Sequence, residues 1–307
     1  MHKGIVFAFG CGFASAMMST SGQSGSGLGV LLANFAMFPI IMIGLARGTK
    51  STAIAALAGV VAVTTFSSIF AGGIYGFTIG IPSWLLVRYG LMNRANPSGS
   101  VEWYPVGNAL AKLAGYGAIA IAIAAIANME SEGGFRGAVE HLLDKLFTSR
   151  LGGSDVERSL LVDRTVEFFP GIAVAGWLLL ISINAILAQG ILTRRGVQVR
   201  PTPNYSRLEA PEWLYWAWVG SAILTLFGGP HATYIGFNLV IIFTAPFFFI
   251  GLGIIHLLVK NLSLPILALS AVYIFIVILG WPMLAVAGLG FFEQWLGLRK
   301  KYCGTRS

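Results

Sequence analysis

Charge is what this chain has least of. Asp, Glu, Lys and Arg together make up 10 % of its 307 residues, against about 25 % in an ordinary soluble domain. Apolar residues reach 56 % and the mean hydropathy is +0.78. A soluble fold of that composition would leave large apolar patches in water, whereas a bilayer accepts apolar side chains on the outside of a helical bundle. Cysteine is scarce too. Cys11 lies in the first apolar run and Cys303 in the tail, a separation that gives neither a disulfide framework nor a metal-ligand motif. No nucleophile elbow, His-Glu zinc motif, Walker loop or pair of carboxylates within an apolar run is present, so the sequence offers no catalytic constellation, no energy source of its own and no proton-pumping chain of acids. It is therefore read as a non-enzyme with no cofactor.

What the chain has is long apolar runs. A spanning helix needs about 20 apolar residues, and ten candidates follow one another at 4–18, 28–45, 53–70, 74–91, 104–127, 169–192, 213–227, 234–259, 264–279 and 283–296. The last two are separated by Gly280-Trp281-Pro282, and the final run, short and carrying Glu293, also suits a re-entrant or interfacial helix. The fold class is all-α: one integral membrane domain over 1–307, a transmembrane bundle of about 8–10 spans. Met1-His2-Lys3 and Ala14-Ser15-Ala16 imitate the ends of a signal peptide; the first run is read as a retained helix.

A formal charge of +8 would point to nucleic acid in a soluble protein, but here the cations sit between apolar runs and mark topology instead. With the N-terminus inside, Lys3, Arg47, Lys50, Arg88, Arg94, Arg194, Arg195, Arg200, Arg207, Lys260, Arg299, Lys300, Lys301 and Arg306 all fall on the cytoplasmic side. Only Arg136, Lys145, Arg150, Arg158 and Arg164 fall outside, all in one segment. That bias predicts a multi-pass protein of the bacterial inner membrane with both termini in the cytoplasm. The segment in question, 128–167, holds eight of the 12 acids. Phe135, Val139, Leu142, Leu143, Leu146 and Phe147 recur at helical spacing there. Gly152-Gly153 and the capping box opened by Ser154 then predict an external helical hairpin. Its apolar face would rest on headgroups or the bundle, or serve as a lid or docking surface.

Ionisable and amide groups at membrane depth are the functional candidates. Lys112 lies inside the fifth run and is predicted to snorkel or to contact an anion or partner. Glu293 is placed to pair with Arg299 beyond a helix end at Gly297. His256 is expected to cap its helix near Lys260. Asn34, Asn184 and Asn238 sit in apolar runs, and His231 sits in the turn Gly228-Gly229-Pro230-His231. They serve either helix–helix hydrogen bonding or a polar solute pocket, and Asn34, Asn184, His231 and Asn238 form the candidate pocket. The loop Ser19–Gly27, rich in hydroxyls and glycine, is a linker or a cover for that pocket. Ala8, Gly12 and Ala16, four apart on the first run, permit close helix approach; packing within the bundle and docking of another subunit are both open.

Three patches carry a family resemblance: Glu102-Trp103-Tyr104-Pro105-Val106-Gly107; Asn238 with Pro246-Phe247-Phe248, Gly251-Leu252 and His256; and Gly280-Trp281-Pro282 with Gly288-Leu289-Gly290, Gln294-Trp295 and Arg299. Together they resemble the YybS-like family of bacterial membrane proteins in its alphaproteobacterial form. That resemblance implies a distant relation to the substrate-capture subunits of energy-coupling-factor transporters, which bind a small solute near the outer face and meet a coupling subunit through small residues on their first helix. The expected partners are thus the lipid bilayer, a small solute and a membrane protein. The alternative is a membrane scaffold or assembly factor acting through protein partners.

Overall fold

The computed structural model describes residues 2–97, 99–150, 155–260 and 262–297. In chain order the helices are α1 (His2–Ser21), α2 (Gly27–Asn34), α3 (Met37–Arg47), α4 (Thr49–Phe66), α5 (Ile69–Tyr75), α6 (Ile81–Leu91), α7 (Val106–Ala127), α8 (Gly134–Arg150), α9 (Asp155–Val166), α10 (Phe169–Arg194), α11 (Glu212–Phe227), α12 (Pro230–Val259), α13 (Pro265–Leu279) and α14 (Pro282–Leu296). A π-helical segment, Gly76–Gly80, joins α5 to α6. A small antiparallel hairpin, β1 (Asn93–Ala95) and β2 (Val101–Trp103), pairs Asn93 with Trp103. The chain is an all-α polytopic bundle, as its composition requires.

Among the described residues, seven stretches are long and apolar enough to cross a membrane: α1, α2–α3 taken together, α4, α5–α6 taken together, α7, α10 and α12. The bent pair α13–α14 raises the number to eight if it counts as one span. The run at 213–227 becomes α11, whose 16 residues reach about 24 Å, short of a hydrocarbon core of about 30 Å. Ten apolar runs therefore yield seven or eight spanning segments by length. The last two runs are divided at Gly280-Trp281-Pro282, where the chain bends by 119°. Gly280 takes φ +71° there, a conformation that glycine adopts without steric cost. Large apolar side chains such as Val61, Ile69, Phe70, Ile126, Leu226 and Val277 are exposed on these helices, and in a bilayer they meet lipid.

Contacts divide the chain into two compact units, Met1–Ala109 with Trp177–Pro203, and Leu110–Gly176 with Asn204–Ser307. In the first unit α1 crosses α4 through the small residues at Ala8, Gly12 and Ala16. Ala8 and Ala16 are buried with Ala55, Ala62 and Val63, and a Cβ at Gly12 would lie 2.9 Å from the Ala58 Cβ. This face is thus occupied within the chain. In the second unit the α12–α14 crossing uses the same device: a Cβ at Gly290 would lie 2.7 Å from the Gly251 amide nitrogen.

The hairpin segment folds as α8 against α9. Val139 and Leu143 are buried with Val162 and Val166, and Phe135, Phe147 and Phe169 pack on them. The apolar stripe on α8 therefore faces α9, while Leu142 and Leu146 remain exposed. Arg136 ties the hairpin's two ends, meeting Glu167 at 2.8 Å and Glu140 at 3.1 Å; the hydrogen bond to Glu167 is the main influence raising its pKa. Gly152-Gly153 and Ser154 lie outside the described residues.

Candidate functional site

The second spanning stretch is broken between Asn34 and Met37. Proline explains the position. Pro39 has no N–H to offer the carbonyl of Phe35, four residues back, and its ring displaces that carbonyl. The chain relieves the conflict with a tighter turn, Phe38 N–H bonding Phe35 O at 3.0 Å. Two carbonyls on either side of the break are then met by side chains from other helices, as backbone polar groups away from water must be. Asn184 of α10 donates Nδ2 to Asn34 O at 3.0 Å and to Leu180 O at 2.7 Å. Ser15 of α1 donates to Ala36 O at 2.5 Å, and its oxygen lies 2.6 Å from the Tyr75 hydroxyl. A carbonyl can only accept, so the single Ser15 proton goes to Ala36 and the Tyr75 O–H donates to Ser15. The chain Tyr75 → Ser15 → Ala36 is fully buried. Gly59 makes room for the phenol, since a Cβ there would lie 2.7 Å from Tyr75 Cζ.

The second irregularity follows Tyr75 directly. Within the π segment Gly76–Gly80, Thr78 O has no donor four positions on, because that residue is Pro82. The indole Nε1 of Trp177, on α10, donates to it at 2.9 Å. A discontinuous helix and a π segment are both recurrent marks of binding sites in membrane bundles, and here both are fastened to α10. Further along, Gln189 donates to Arg200 O at 2.9 Å, and Arg200 Nη1 donates to Gly90 O at 2.8 Å. The Arg200 guanidinium lies 5.5 Å from the Trp103 ring centroid. Val199 N–H bonds Leu45 O at 3.1 Å, so the segment after α10 closes the unit beneath α3 and α6.

Between these ties lie two fully buried side chains, Ser83 on α6 and Asn184 on α10. Ser83 Oγ and Asn184 Oδ1 have no hydrogen-bond partner. The surroundings carry no negative charge: the first unit contains one acid, Glu102, which is exposed on β2 and lies 3.7 Å from Arg94. The site is a neutral one, built of amide, hydroxyl and carbonyl groups.

Of the four residues assigned to a pocket, Asn34 and Asn184 lie in the first unit and His231 and Asn238 in the second. Asn34 contributes its backbone carbonyl, while the residue itself is exposed. Asn238 is committed to structure. Its Oδ1 accepts from Gly171 N–H at 2.7 Å, and its Nδ2 donates to Glu167 O at 3.0 Å and Tyr234 O at 2.9 Å. With the Tyr234 hydroxyl on Val166 O at 2.8 Å, it pins the base of the α8–α9 hairpin to α12. His231 is exposed and packs beside Gly134, where a Cβ would lie 3.0 Å from its ring.

Lys112 is exposed and its Nζ lies 5.7 Å from the Trp213 ring centroid. Gly297, at φ +55°, ends α14 with its N–H on Glu293 O at 2.9 Å; Arg299 lies outside the described residues. The His256 ring bonds Leu252 O at 2.9 Å and faces Tyr273 of α13 across ring centroids 5.9 Å apart, while its carbonyl accepts the N–H of Lys260, the C-cap of α12, at 3.3 Å. In the loop after α1, Ser26 caps α2 by accepting Gly29 N–H at 3.1 Å, and Ser21 donates to Gly29 O at 3.0 Å, making a tight turn. Among the described residues His, Cys, Asp and Glu form no group of three or more that could hold a metal.

Ser15, Tyr75, Ser83 and Trp177 were not among the sequence candidates. Pro39 and Pro82 were the readable signals: Pro39 marks the break, where Phe35 O is met locally by Phe38 N–H, and Pro82 marks Thr78 O, which Trp177 meets from α10.

The family described as "Predicted membrane protein (DUF2232)" matches residues 14–293. No curated protein and no solved structure matches the chain.

Proposed function

Because the chain belongs to the DUF2232 family of predicted membrane proteins, we propose that it is a non-enzymatic, multi-pass component of the bacterial inner membrane that binds a small solute as part of a transport-related process. The observation that carries this reading is the broken stretch α2–α3, whose carbonyls at Asn34 and Ala36 are held by Asn184 and Ser15. Interrupted helices whose backbone groups line a polar interior are how membrane bundles build solute sites. The non-enzymatic part of the proposal is supported by the Ser15 and Tyr75 protons and the Asn184 amide protons being committed to hydrogen bonds within the chain. A distant relation to solute-capture subunits, through the YybS-like resemblance, belongs to the same proposal.

The topology that goes with it has both termini in the cytoplasm. Six stretches up to α10 return the chain to the inside. If α11 and α12 both cross, α13–α14 enters and leaves from the cytoplasmic face; if α11 does not cross, the bent pair completes the eighth passage. Both routes end inside.

The test is to purify the protein in mild detergent, denature it and identify the small molecules released by mass spectrometry, against a mock purification from the same membranes. A non-lipid polar molecule near one per chain is expected. Recovery of phospholipid alone would overturn the reading. A second reading, a scaffold acting through protein partners, is favoured by the exposed apolar residues Leu142, Leu146, Val156 and Leu160 on the α8–α9 hairpin. It predicts a stoichiometric partner in the same preparation, lost when those four are replaced by Ser.

A further inference from the structure

Resting on that solute-binding reading, we propose that Ser83 Oγ and Asn184 Oδ1 are the ligand-binding pair of the first unit, and that their ligand is a small uncharged molecule presenting an O–H or N–H donor, of the alcohol, polyol or amide class.

Placement comes first. The α5–α6 stretch is tied to α10 at two levels, Thr78 O to the Trp177 indole and Gly90 O to Gln189 through Arg200. Thr78 precedes Gly90 along one stretch and Trp177 precedes Gln189 along the other, so the two ties fall in the same order on both, and Ser83 and Asn184 lie between them. Ser83 lies five residues below the first tie and Asn184 seven below it. Both side chains are fully buried and both have an oxygen without a partner. Buried polar atoms of native proteins are nearly always satisfied, so an acceptor and a hydroxyl left open between the same two ties mark where a ligand would supply the missing bonds.

The chemistry of the ligand follows from what each atom can still do. Both amide protons of Asn184 are spent, on Asn34 O and Leu180 O. Its Oδ1 can therefore only accept, and the ligand must donate. The Ser83 hydroxyl can donate or accept, so the ligand's second polar group is of either kind. A cation would find no counter-charge, because the single acid of the unit is exposed on β2. An anion would meet the Asn184 oxygen, and the buried Arg200 donates to Gly90 O at the second tie. A neutral donor remains. Binding at Oδ1 would also polarise the same amide toward Asn34 O, so occupancy of the site strengthens the bond that holds the break in α2–α3.

The test is native mass spectrometry of the full chain released from an amine-oxide detergent, which carries no hydroxyl to fill the site, comparing wild type with Ser83→Ala, Asn184→Ala and, as control, His231→Ala. Ser83→Ala removes an atom that bonds nothing in the protein, so it tests the site without disturbing the fold even where Asn184→Ala weakens it. The expected result is an uncharged non-lipid adduct on wild type and His231→Ala, with occupancy at least tenfold lower on Ser83→Ala. An adduct that Ser83→Ala and Asn184→Ala leave unchanged would overturn the assignment of these residues while leaving solute binding in place. A charged adduct, or a phospholipid, lost on Ser83→Ala would overturn the ligand class. A wild-type chain carrying no adduct would overturn both this inference and the reading it rests on.

Discussion

Ser15 shows how one hydroxyl can decide the fate of several backbone groups. Its proton meets Ala36 O and its oxygen receives Tyr75, so removing it orphans an acceptor and a donor together. An unmet buried polar group costs about 1–3 kcal/mol, whereas one net hydrogen bond is worth about 1 kcal/mol. Ser15→Ala should therefore destabilise the protein by about 2–4 kcal/mol. Tyr75→Phe, which leaves the Ser15–Ala36 bond in place, should cost about 1 kcal/mol. Adding Tyr75→Phe to Ser15→Ala should recover part of the loss by removing the orphaned hydroxyl. Denaturant titration in detergent micelles measures all three, and equal costs for the two single variants would mean that Ser15 does not bridge. None of this was visible in the sequence, where Ser15 reads as one more small residue in an apolar run. Asn184 stood out as an amide in such a run, but whether it lined a pocket or held a helix could not be read from its neighbours, because its partner Asn34 lies 150 positions away. Asn238 looked the same in sequence and is fully consumed by structure.

Elements were legible where period and length alone decide them. The apolar runs gave the spanning helices, the stripe on α8 gave the hairpin, and Gly280-Trp281-Pro282 and Gly297 marked helix ends that the chain uses. Breaks inside a run were not read, because hydropathy is blind to them: 28–45 is apolar on both sides of the gap between α2 and α3, and Asn34 and Pro39 are its marks in the sequence. Close crossings are similarly hidden among many glycines. Gly288 and Gly290 are two residues apart on α14, yet a Cβ at Gly288 would meet nothing within 4 Å while one at Gly290 would press on the α12 backbone. Gly290→Ala should cost about 1–3 kcal/mol by overpacking, and Gly288→Ala should stay within about 0.5 kcal/mol of wild type. Thermal unfolding of the two variants in one detergent checks the contrast; similar shifts would show that the crossing yields.

At the scale of the whole molecule, charge placement speaks to sidedness and length speaks to the number of passages. An even number of crossings is common to both topologies compatible with the helices, and they differ in where the connection after α12 lies. The first route puts Ser263 inside and the Gly228-Gly229 turn outside; the second puts Ser263 outside. In a Cys11→Ala/Cys303→Ala background, Ser263→Cys and Gly229→Cys should be probed in intact cells with a membrane-impermeant maleimide. The basic Lys260 favours the first route, so Gly229→Cys should label from outside and Ser263→Cys should not. The reverse pattern would mean that α11 stays on the cytoplasmic side and that the bent pair completes the span.

The measurement that bears most directly on the central claim is an experimental density map of the protein in a lipid nanodisc, read around Asn184. Asn184 Nδ2 should lie on the carbonyl of Asn34 at the break, with non-protein density about 3 Å from Oδ1 and reaching toward Ser83. An unbroken helix through residues 34–37, or an Asn184 oxygen bonded to another side chain with no such density, would contradict it.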